Sequence, residues 1–222
     1  MKLYGFPLSQ PTRSVLMLLK ETATPYSFVL IDALKGDNRK NPEFKAAFPG
    51  NALVPTIDDD GFKLMESAAI LSYLAETRGL DKYYPQKDAK ARARINAWMH
   101  WHHQNSRNST KGILTPALFK GLPDRDAHLA RGTKAYTAGL KHMDLHLATS
   151  QYLAGGKDVS LADLLILCEV DQLYPEAFNL FDYKAFGHVQ RWVADCRKSI
   201  KSYEEVYAPV KAIADAKRSS PN

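Results

Sequence analysis

Ser9 lies where a short apolar run at the amino terminus gives way to a helical pattern, in the string Ser9-Gln10-Pro11-Thr12-Arg13. A helix start presents unpaired backbone N–H groups and the positive end of the helix dipole, and both favour a bound phosphate, carboxylate or thiolate. A hydroxyl at this point adds a directed hydrogen-bond donor. Because serine is also a common N-cap, the residue taken alone fits a structural role more simply.

Two later dipeptides could hold other parts of a small peptide. Val54-Pro55 precedes a strand-like segment. If the bond between them is cis, Val54 can offer its N–H and C=O to an extended ligand; otherwise the proline is an ordinary break before a strand. Glu66-Ser67 stands before a helix, where Ser67 and nearby amides suit an α-carboxylate and Glu66 suits the adjacent ammonium. Alone, this pair is an ordinary helix cap.

The elements that must position these residues alternate short apolar runs with helical periodicity over positions 1–80, which is typical of α/β units. An Asp59-Asp60-Gly61 turn predicts a hairpin, because Asp-Gly tolerates positive φ values. The predicted order is β-α-β-α-β-β-α. Its elements are strand Lys2–Tyr4, a helix burying Val15, Leu16, Leu18 and Leu19, strand Tyr26–Ile31, helix Asn41–Phe48, strands Thr56–Asp58 and Phe62–Met65, and a helix burying Ala69, Ile70, Tyr73 and Leu74.

The chain beyond residue 80 predicts a second, helical domain. Positions 81–86 lose periodicity and predict a linker. Helical patterns follow at Ala89–Ser106, Arg125–Thr149, Leu161–Tyr174, Gly187–Lys198 and Tyr203–Lys217. We expect domains at 1–80 and 88–222, with a loose end over residues 218–222.

Composition narrows the function classes. The chain has 222 residues, 45% hydrophobic and 24% charged, with a formal net charge of +6. Its basic residues are mixed with acids and alanines and lack an aromatic platform, which favours small anions over nucleic acid. The amino terminus lacks the regions of a signal peptide, and no stretch approaches a membrane span. Cys168 and Cys196 are far apart in sequence, so we expect a reducing, cytoplasmic location.

Together, several strings resemble theta-class glutathione transferases over essentially the whole chain. The strings are SQPTR (9–13), LVPT (53–56), ESAAILSYL (66–74), YYP (83–85), WHHQNSR (101–107) and SLADL (160–164). The serine-led SQP string resembles the theta class rather than the tyrosine-using classes. The resemblance implies an α/β plus all-α fold, in which a thioredoxin-like amino-terminal domain precedes an all-helical carboxy-terminal domain. Within SLADL, Ser160 and Asp163 form a capping pair, to which we assign a structural role.

The resemblance implies a glutathione site in the first domain. Ser9 would donate a hydrogen bond to the glutathione sulfur. Val54, held by Pro55, would pair with the cysteinyl backbone, and Glu66 with Ser67 would hold the γ-glutamyl end. The glycine carboxylate would fall near Asn38 and Leu53. Leu53 cannot donate from its side chain, so Arg39 or Lys40 could supply the missing group. Glutathione would be a co-substrate, with no cofactor and no metal.

The resemblance also places Arg107 near the sulfur and a hydrophobic electrophile, and Gln104 within reach of the glutathione of a partner subunit. The structural alternative for Arg107 is a surface or interdomain ion pair. His100, His102 and His103 are interpreted as ordinary helix residues because no carboxylate or cysteine nearby completes a metal set. The family pattern implies a homodimer that conjugates glutathione in detoxification, with dehalogenation or peroxide reduction as side activities.

Two other functions compete with this interpretation, of which the second is disfavoured. Transferase-like domains also serve as noncatalytic assembly modules or ligand carriers, and intact motifs do not distinguish that use from catalysis. Thiol-disulfide exchange would require a cysteine at the helix start, which Ser9 occupies.

Overall fold

Four short strands form a mixed sheet in the first part of the chain. A computed structural model describes residues 1–219. The strands, β1 (Lys2–Gly5), β2 (Ser27–Leu30), β3 (Thr56–Asp59) and β4 (Phe62–Met65), are arranged in the order β2-β1-β3-β4. β1 pairs with β2 in parallel, whereas the β1–β3 and β3–β4 pairs are antiparallel. The predicted hairpin is confirmed, with positive φ at Asp60 and Gly61 in its turn.

The sheet carries helices α1 (Gln10–Glu21), α2 (Asp37–Lys40), α3 (Pro42–Ala47) and α4 (Ser67–Thr77). The predicted order is therefore right except that it omits α2. This helix has four residues and no buried side chain, so it leaves no apolar period in the sequence. It follows Gly36, whose φ of 81° permits the turn that precedes it.

The second half is helical throughout its regular structure. Its elements are α5 (Ala89–His102), a π-helical segment (Ser109–Leu114), α6 (Thr115–Leu118), α7 (Arg125–Leu147), α8 (Leu161–Val170), a 3-10 turn (Asp171–Leu173), α9 (Gly187–Ser199) and α10 (Tyr203–Ser219). The predicted helix 89–106 ends early, at His102. Asn105 Nδ2 donates to Trp101 O at 2.9 Å, so side-chain hydrogen bonds compete with the helical backbone pattern there.

Two other predicted ends also differ. The α-helix ends at Val170 and continues as a 3-10 turn to Leu173, whereas the prediction included Tyr174. Tyr174 is extended, because Pro175 disfavours helical backbone in the residue before it. The expected loose end is wrong for Arg218 and Ser219, which both lie in α10. Arg218 donates to Pro175 O and Ala177 O, each at 2.9 Å. The remaining part of that prediction, residues 220–222, lies outside the described residues.

One hydrophobic core runs through both halves, and α1 lies at its centre. Nine of the twelve residues of α1 are buried, because the helix packs against the sheet half and against α8. Arg13 is 0% exposed and donates to Leu8 O at 2.7 Å and to Cys168 O at 3.1 Å. Its guanidinium also lies 5.1 Å from the centre of the Tyr207 ring. The start of α1 is thus fixed by contacts from both halves.

The capping pair in front of α8 is confirmed. Asp163 accepts from Ser160 N at 2.9 Å and from Ser160 Oγ at 2.6 Å. The same carboxylate accepts from Leu153 N at 2.9 Å and from Trp192 Nε1 at 2.8 Å. Asp163 therefore joins α8 to α9 and to the preceding loop. Within residues 1–219, none of the helices is long and apolar enough to cross a bilayer.

Candidate active site

A polar cavity of about 380 Å³ lies between the strand-to-helix connections of the sheet half and the start of the π-helical segment. Six of the predicted site residues meet in it: Leu53, Val54, Pro55, Glu66, Ser67 and Arg107. The other lining residues are Pro11, Asn51, Met65, His102, His103 and Lys111. Residues that are distant in sequence thus converge on one cavity.

Val54 presents free backbone groups at one side of the cavity. The Val54–Pro55 peptide bond is cis. Val54 lies just before β3, outside the ladder that pairs Thr56 with Met65. Its N–H and C=O have no hydrogen-bond partner among residues 1–219. These two groups can pair with an extended peptide in the manner of an added strand.

Glu66 and Ser67 mark the start of α4 on the cavity wall. Glu66 has a φ of 69° and a ψ of 113°, a conformation that non-glycine residues rarely adopt. Such backbone strain costs about 1–3 kcal/mol and is concentrated at functional sites. Ser67 is the first residue of α4, and the start of this helix lies at the cavity. The unpaired N–H groups of the first turn and the positive end of the helix dipole therefore lie at the cavity wall. A ligand carboxylate and ammonium could both be held at this corner.

Arg107 and Lys111 supply positive charge on the helical side of the cavity. Arg107 pairs with the buried carboxylate of Glu169 and donates to Gln10 Oε1 at 3.2 Å. Burial alone would raise the pKa of Glu169, but the charge of Arg107 and the hydroxyls that donate to the carboxylate hold it below its usual value. Glu169 therefore remains ionised at neutral pH, and Arg107 is a fixed part of the cavity wall.

Ser9 borders a second, apolar cavity of about 290 Å³. It has N-cap backbone geometry, but its hydroxyl makes no capping bond and no other hydrogen bond within the described residues. Pro11, two residues further along the same turn, lines the polar cavity instead. The first turn of α1 thus stands between the two cavities. The rest of the apolar lining is Phe6, Leu8, Leu34, Leu114, Leu118, Phe119, Phe178, Val210, Ile213 and Lys217.

Three of the predicted residues place no side-chain donor in either cavity. Asn38 donates to Ala52 O at 2.7 Å and braces the loop before β3, rather than lining either cavity. Leu53 lines the polar cavity with an exposed apolar side chain. Gln104 is exposed and lines neither cavity. The alternatives Arg39 and Lys40 are exposed and likewise outside both linings.

Several lining residues were not singled out as site residues from the sequence. Lys111 lies in the π-helical segment, which no periodicity predicted, and it adds a cation to the polar cavity. Phe119, Phe178 and Ile213 come from three separate segments that only tertiary packing brings to the apolar cavity. A larger groove of about 660 Å³ lies along residues 174–190 and contains none of the predicted site residues.

Neither cysteine offers a reactive thiol. Cys168 and Cys196 are unpaired and 0% exposed. Burial raises the pKa of Cys168 to about 12 and that of Cys196 well above its usual value. Both thiols therefore stay protonated at neutral pH. Across residues 1–219, no group of three or more His, Cys, Asp or Glu side chains could hold a metal ion.

Comparison with known proteins agrees with this architecture. A family model described as the glutathione S-transferase N-terminal domain matches residues 3–82. Glutathione S-transferase T2 of Arabidopsis thaliana is 32% identical over 92% of this chain, which spans only 36% of that relative. Glutathione S-transferase T1 of the same plant is 32% identical over 90% of this chain and 84% of its own length. A human theta-2 structure in complex with glutathione and an unknown ligand has a TM-score of 0.83 at 27% identity, covering 99% of this chain and 92% of that one.

A thioredoxin-like domain followed by a helical domain is the architecture of the glutathione transferase structures to which this chain is similar. The chain belongs to the glutathione S-transferase family. The theta-class relatives among these matches confirm the resemblance that the serine-led string indicated.

Proposed function

We propose that the protein conjugates reduced glutathione to electrophilic small molecules, with Ser9 as the group that stabilises the thiolate. The observation that carries this proposal is the position of the Ser9 hydroxyl. It has no hydrogen-bond partner in the described part of the chain, and its turn separates a polar cavity from an apolar one. A sulfur placed there would meet a free donor on one side and an apolar co-substrate on the other.

The chemistry needs activation and proximity. A hydrogen bond to a charged group contributes about 1.5–3 kcal/mol, which lowers a thiol pKa by roughly one to two units. The thiol proton leaves to solvent, and the thiolate donates an electron pair to an electrophilic carbon. A C–S bond forms while a leaving group departs or a strained ring opens. Holding both reactants side by side supplies the remaining advantage.

We assign the parts of the tripeptide to different residues of the polar cavity. The free backbone groups of Val54 suit the cysteinyl residue, and Glu66 with Ser67 suits the γ-glutamyl head. The glycine carboxylate would lie towards Leu53, whose side chain donates nothing. The cationic side chains of Arg107 and Lys111 give the cavity the sign of charge that a ligand with two carboxylates requires.

The wider assignment follows from family membership. We propose a cytoplasmic homodimer that acts in detoxification, with dehalogenation or peroxide reduction as further reactions of the same thiolate. Light scattering coupled to size-exclusion chromatography would give twice the monomer mass of 24.9 kDa for a homodimer. A monomer at micromolar concentration would contradict that part of the proposal.

The decisive experiment compares the wild type with Ser9→Ala and with a matched control. Ser14 lies on the same helix, is 0% exposed, lines neither cavity and donates to Pro11 O at 2.8 Å. We expect Ser9→Ala to lower kcat/KM by roughly 10- to 150-fold, which is the loss of one hydrogen bond to a charged group. Ser14→Ala should keep its rate. Conjugation would be measured with a panel of halides, epoxides, isothiocyanates and hydroperoxides.

Glutathione binding separates catalysis from a noncatalytic role. Titration calorimetry should give similar affinities for the wild type and Ser9→Ala, because the hydroxyl acts on the sulfur rather than on the tripeptide ends. Ultraviolet absorbance of the bound thiolate should show a lower thiol pKa in the wild type alone. Binding without turnover of any electrophile would instead favour the ligand-carrier alternative.

A further inference from the structure

A buried carboxylate lies directly behind the wall of the polar cavity. Glu169 on α8 is 0% exposed and accepts from Arg107, from Ser109 Oγ at 2.7 Å and from Thr110 Oγ1 at 2.5 Å. Gln172 Nε2 lies 3.4 Å from the same carboxylate. All four partners are donors, so together they compensate a charge that burial would otherwise disfavour. Arg107 is the partner that lines the cavity.

The same hydrogen bonds reach the first turn of α1. Gln10 follows Ser9 directly and is 6% exposed. Its Oε1 accepts from Arg107 Nη1 at 3.2 Å, and its Nε2 donates to Gln172 Oε1. Gln10, Arg107, Glu169 and Gln172 thus form a closed ring of hydrogen bonds. The ring joins the turn that carries Ser9 to the helical half.

We propose that Glu169 is a positioning residue, which holds Arg107 against the wall of the polar cavity. Through Gln172 and Gln10 it also fixes the turn that begins α1, and with it the direction of the Ser9 hydroxyl. The proposal rests on the proposed function, because the geometry that it concerns is that of the thiolate site. Glu169 itself lines neither cavity and touches no substrate.

An uncharged residue of the same shape replaces Glu169 only in part, because it brings no negative charge to Arg107. In Glu169→Gln, the amide NH₂ must face at least one of the surrounding donors. The two hydroxyls can turn to accept, but Arg107 has no acceptor. If Gln172 turns to compensate, its bond to Gln10 is lost. Arg107 would then keep only neutral acceptors, the new amide oxygen and Gln10 Oε1, and its long side chain would gain other rotamers.

Asp171 provides a matched control. It is also 0% exposed, lies two residues further along, and pairs with an arginine of another helix. Its partners are Arg197 and the Tyr203 hydroxyl, the latter at 2.5 Å. Asp171 lines neither cavity. Asp171→Asn therefore removes a buried charge and its ion pair without touching the ring, so it reports the effect of destabilisation alone.

The first test measures how firmly the hydrogen-bond ring holds Arg107, and it does not depend on catalytic turnover. Phenylglyoxal modifies free guanidinium groups, and peptide mass spectrometry would follow Arg107 in the full chain. We expect its modification to be roughly tenfold faster in Glu169→Gln, because a hydrogen bond to a charged group has been lost. Glu169→Asp, which keeps the charge on a shorter side chain, should lie between the two. Unchanged reactivity, or an equal rise in Asp171→Asn, would overturn the proposal.

Kinetics then test whether positioning affects catalysis. Glu169→Gln should lower kcat by about 10- to 100-fold, as expected for a misplaced catalytic group, while KM for glutathione changes less than about twofold. In an Arg107→Ala background the same change should add little, because both act through one unit. Full additivity, or an equal loss of kcat in Asp171→Asn, would contradict the proposal.

The outcomes remain distinguishable from failure of the proposed function. If the wild type conjugates no electrophile, the proposed function fails, but the labelling of Arg107 still decides whether Glu169 positions it. If Glu169→Gln does not fold by circular dichroism, Glu169→Asp decides alone. It must then show faster labelling and a lower kcat than both the wild type and Asp171→Asn.

Discussion

The imidazole of His102 is an uncharged group held beside the buried ion pair. Its side chain is buried at 3% exposure, and neither ring nitrogen has a hydrogen-bond partner among residues 1–219. Its Nε2 lies 3.6 Å from Glu169 Oε1. Burial lowers the pKa of His102 to about 4 from an ordinary 6.5, although the nearby carboxylate opposes the shift. The folded protein therefore holds this histidine neutral at physiological pH.

This shift predicts a loss of stability in mild acid. Because the pKa of His102 is lower in the folded than in the unfolded protein, acid favours the unfolded state. The free energy of unfolding is therefore highest above pH 6.5 and decreases as pH falls towards about 4. The pKa difference corresponds to about 3 kcal/mol of unfolding free energy. Urea unfolding between those pH values should show the loss in the wild type and a flatter profile in His102→Gln. His103→Gln, an exposed neighbour, should keep the wild-type profile; an identical flattening there would contradict the assignment.

Some residues in or behind the cavity walls could be predicted from the sequence, and others could not. The difference lies in whether a local sequence pattern marks their position. Ser9, Val54 and Glu66 stand at strand ends and helix starts, so local patterns and the family strings locate them. Glu169 is an acidic residue in the apolar helix α8. The sequence does not show whether such a residue is buried and holds a cavity wall in place or is simply a polar residue on the helix surface. Lys111 depends on a π-helical segment, and that segment has no signature period.

At the scale of elements, the π-helical segment is positioned by a contact between two backbones. A Cβ atom on Gly132 of α7 would lie 2.3 Å from Gly112 Cα, and one on Gly112 would lie 2.5 Å from Gly132 Cα. The contact is between backbone atoms of both segments, so no side-chain rotation could make room for an added Cβ atom. The two glycines therefore set how closely α7 approaches the segment that carries Lys111.

Gly132→Ala should consequently force these two elements apart. We expect the free energy of unfolding to fall by about 1–3 kcal/mol, the usual effect of overpacking, and more if the segment cannot shift. Activity should also fall, because Lys111 and its neighbours would move with the segment. Thermal unfolding and conjugation rates would measure the two effects. Gly121→Ala, where a Cβ meets nothing within 4 Å, is the control, and an equal loss there would disprove the close-packing explanation.

The cap of α8 makes a different element-scale prediction. Asp163 is fully buried and accepts from Trp192 on α9 and from Leu153 in the preceding loop as well as from its own cap. Asp163→Ala should lower the unfolding free energy by about 2–4 kcal/mol, since several buried donors lose their acceptor. Asp88 also caps a helix, with bonds to Lys90 N and Ala91 N, but it is exposed. Asp88→Ala should be clearly milder in chemical denaturation; equal losses would contradict the role of burial.

The order of elements was predictable, because strands and long helices each leave a periodic pattern over enough residues. The differences have local causes. The helix α2 has four residues and buries nothing, and the segment after His102 has side chains that compete for the helical carbonyls. The packing of α1 was harder to predict from the sequence. Its apolar positions predict one buried face, whereas the structure buries Gln10, Arg13 and Ser14 as well, because α8 covers the opposite side.

At the scale of the whole molecule, the two halves are joined through α1. Its Arg13 donates to Cys168 O of α8 at 3.1 Å, and Glu21 at its end accepts from Ser202 N at 2.6 Å. The hydrophobic core continues from β1 through α1 and α8 to α10. A sheet half that unfolded alone would expose the buried surface of α8, and a helical half that unfolded alone would expose α1. Neither half can lose its structure without disrupting the other.

We therefore expect a single unfolding transition for the two halves. In urea, hydrogen exchange followed by mass spectrometry should give the same unfolding midpoint for peptides of β1 and of α8. The three tryptophans all lie in the helical half, and the midpoint of their fluorescence change should equal the other two. Arg13→Ala should lower all the midpoints together. It leaves Leu8 O and Cys168 O without a donor and opens a cavity at the centre of the core, at a cost of about 3 kcal/mol or more. Separate midpoints in the wild type, or an Arg13→Ala shift confined to one half, would show that the halves are independent and that the core does not couple the polar cavity to the helices behind it.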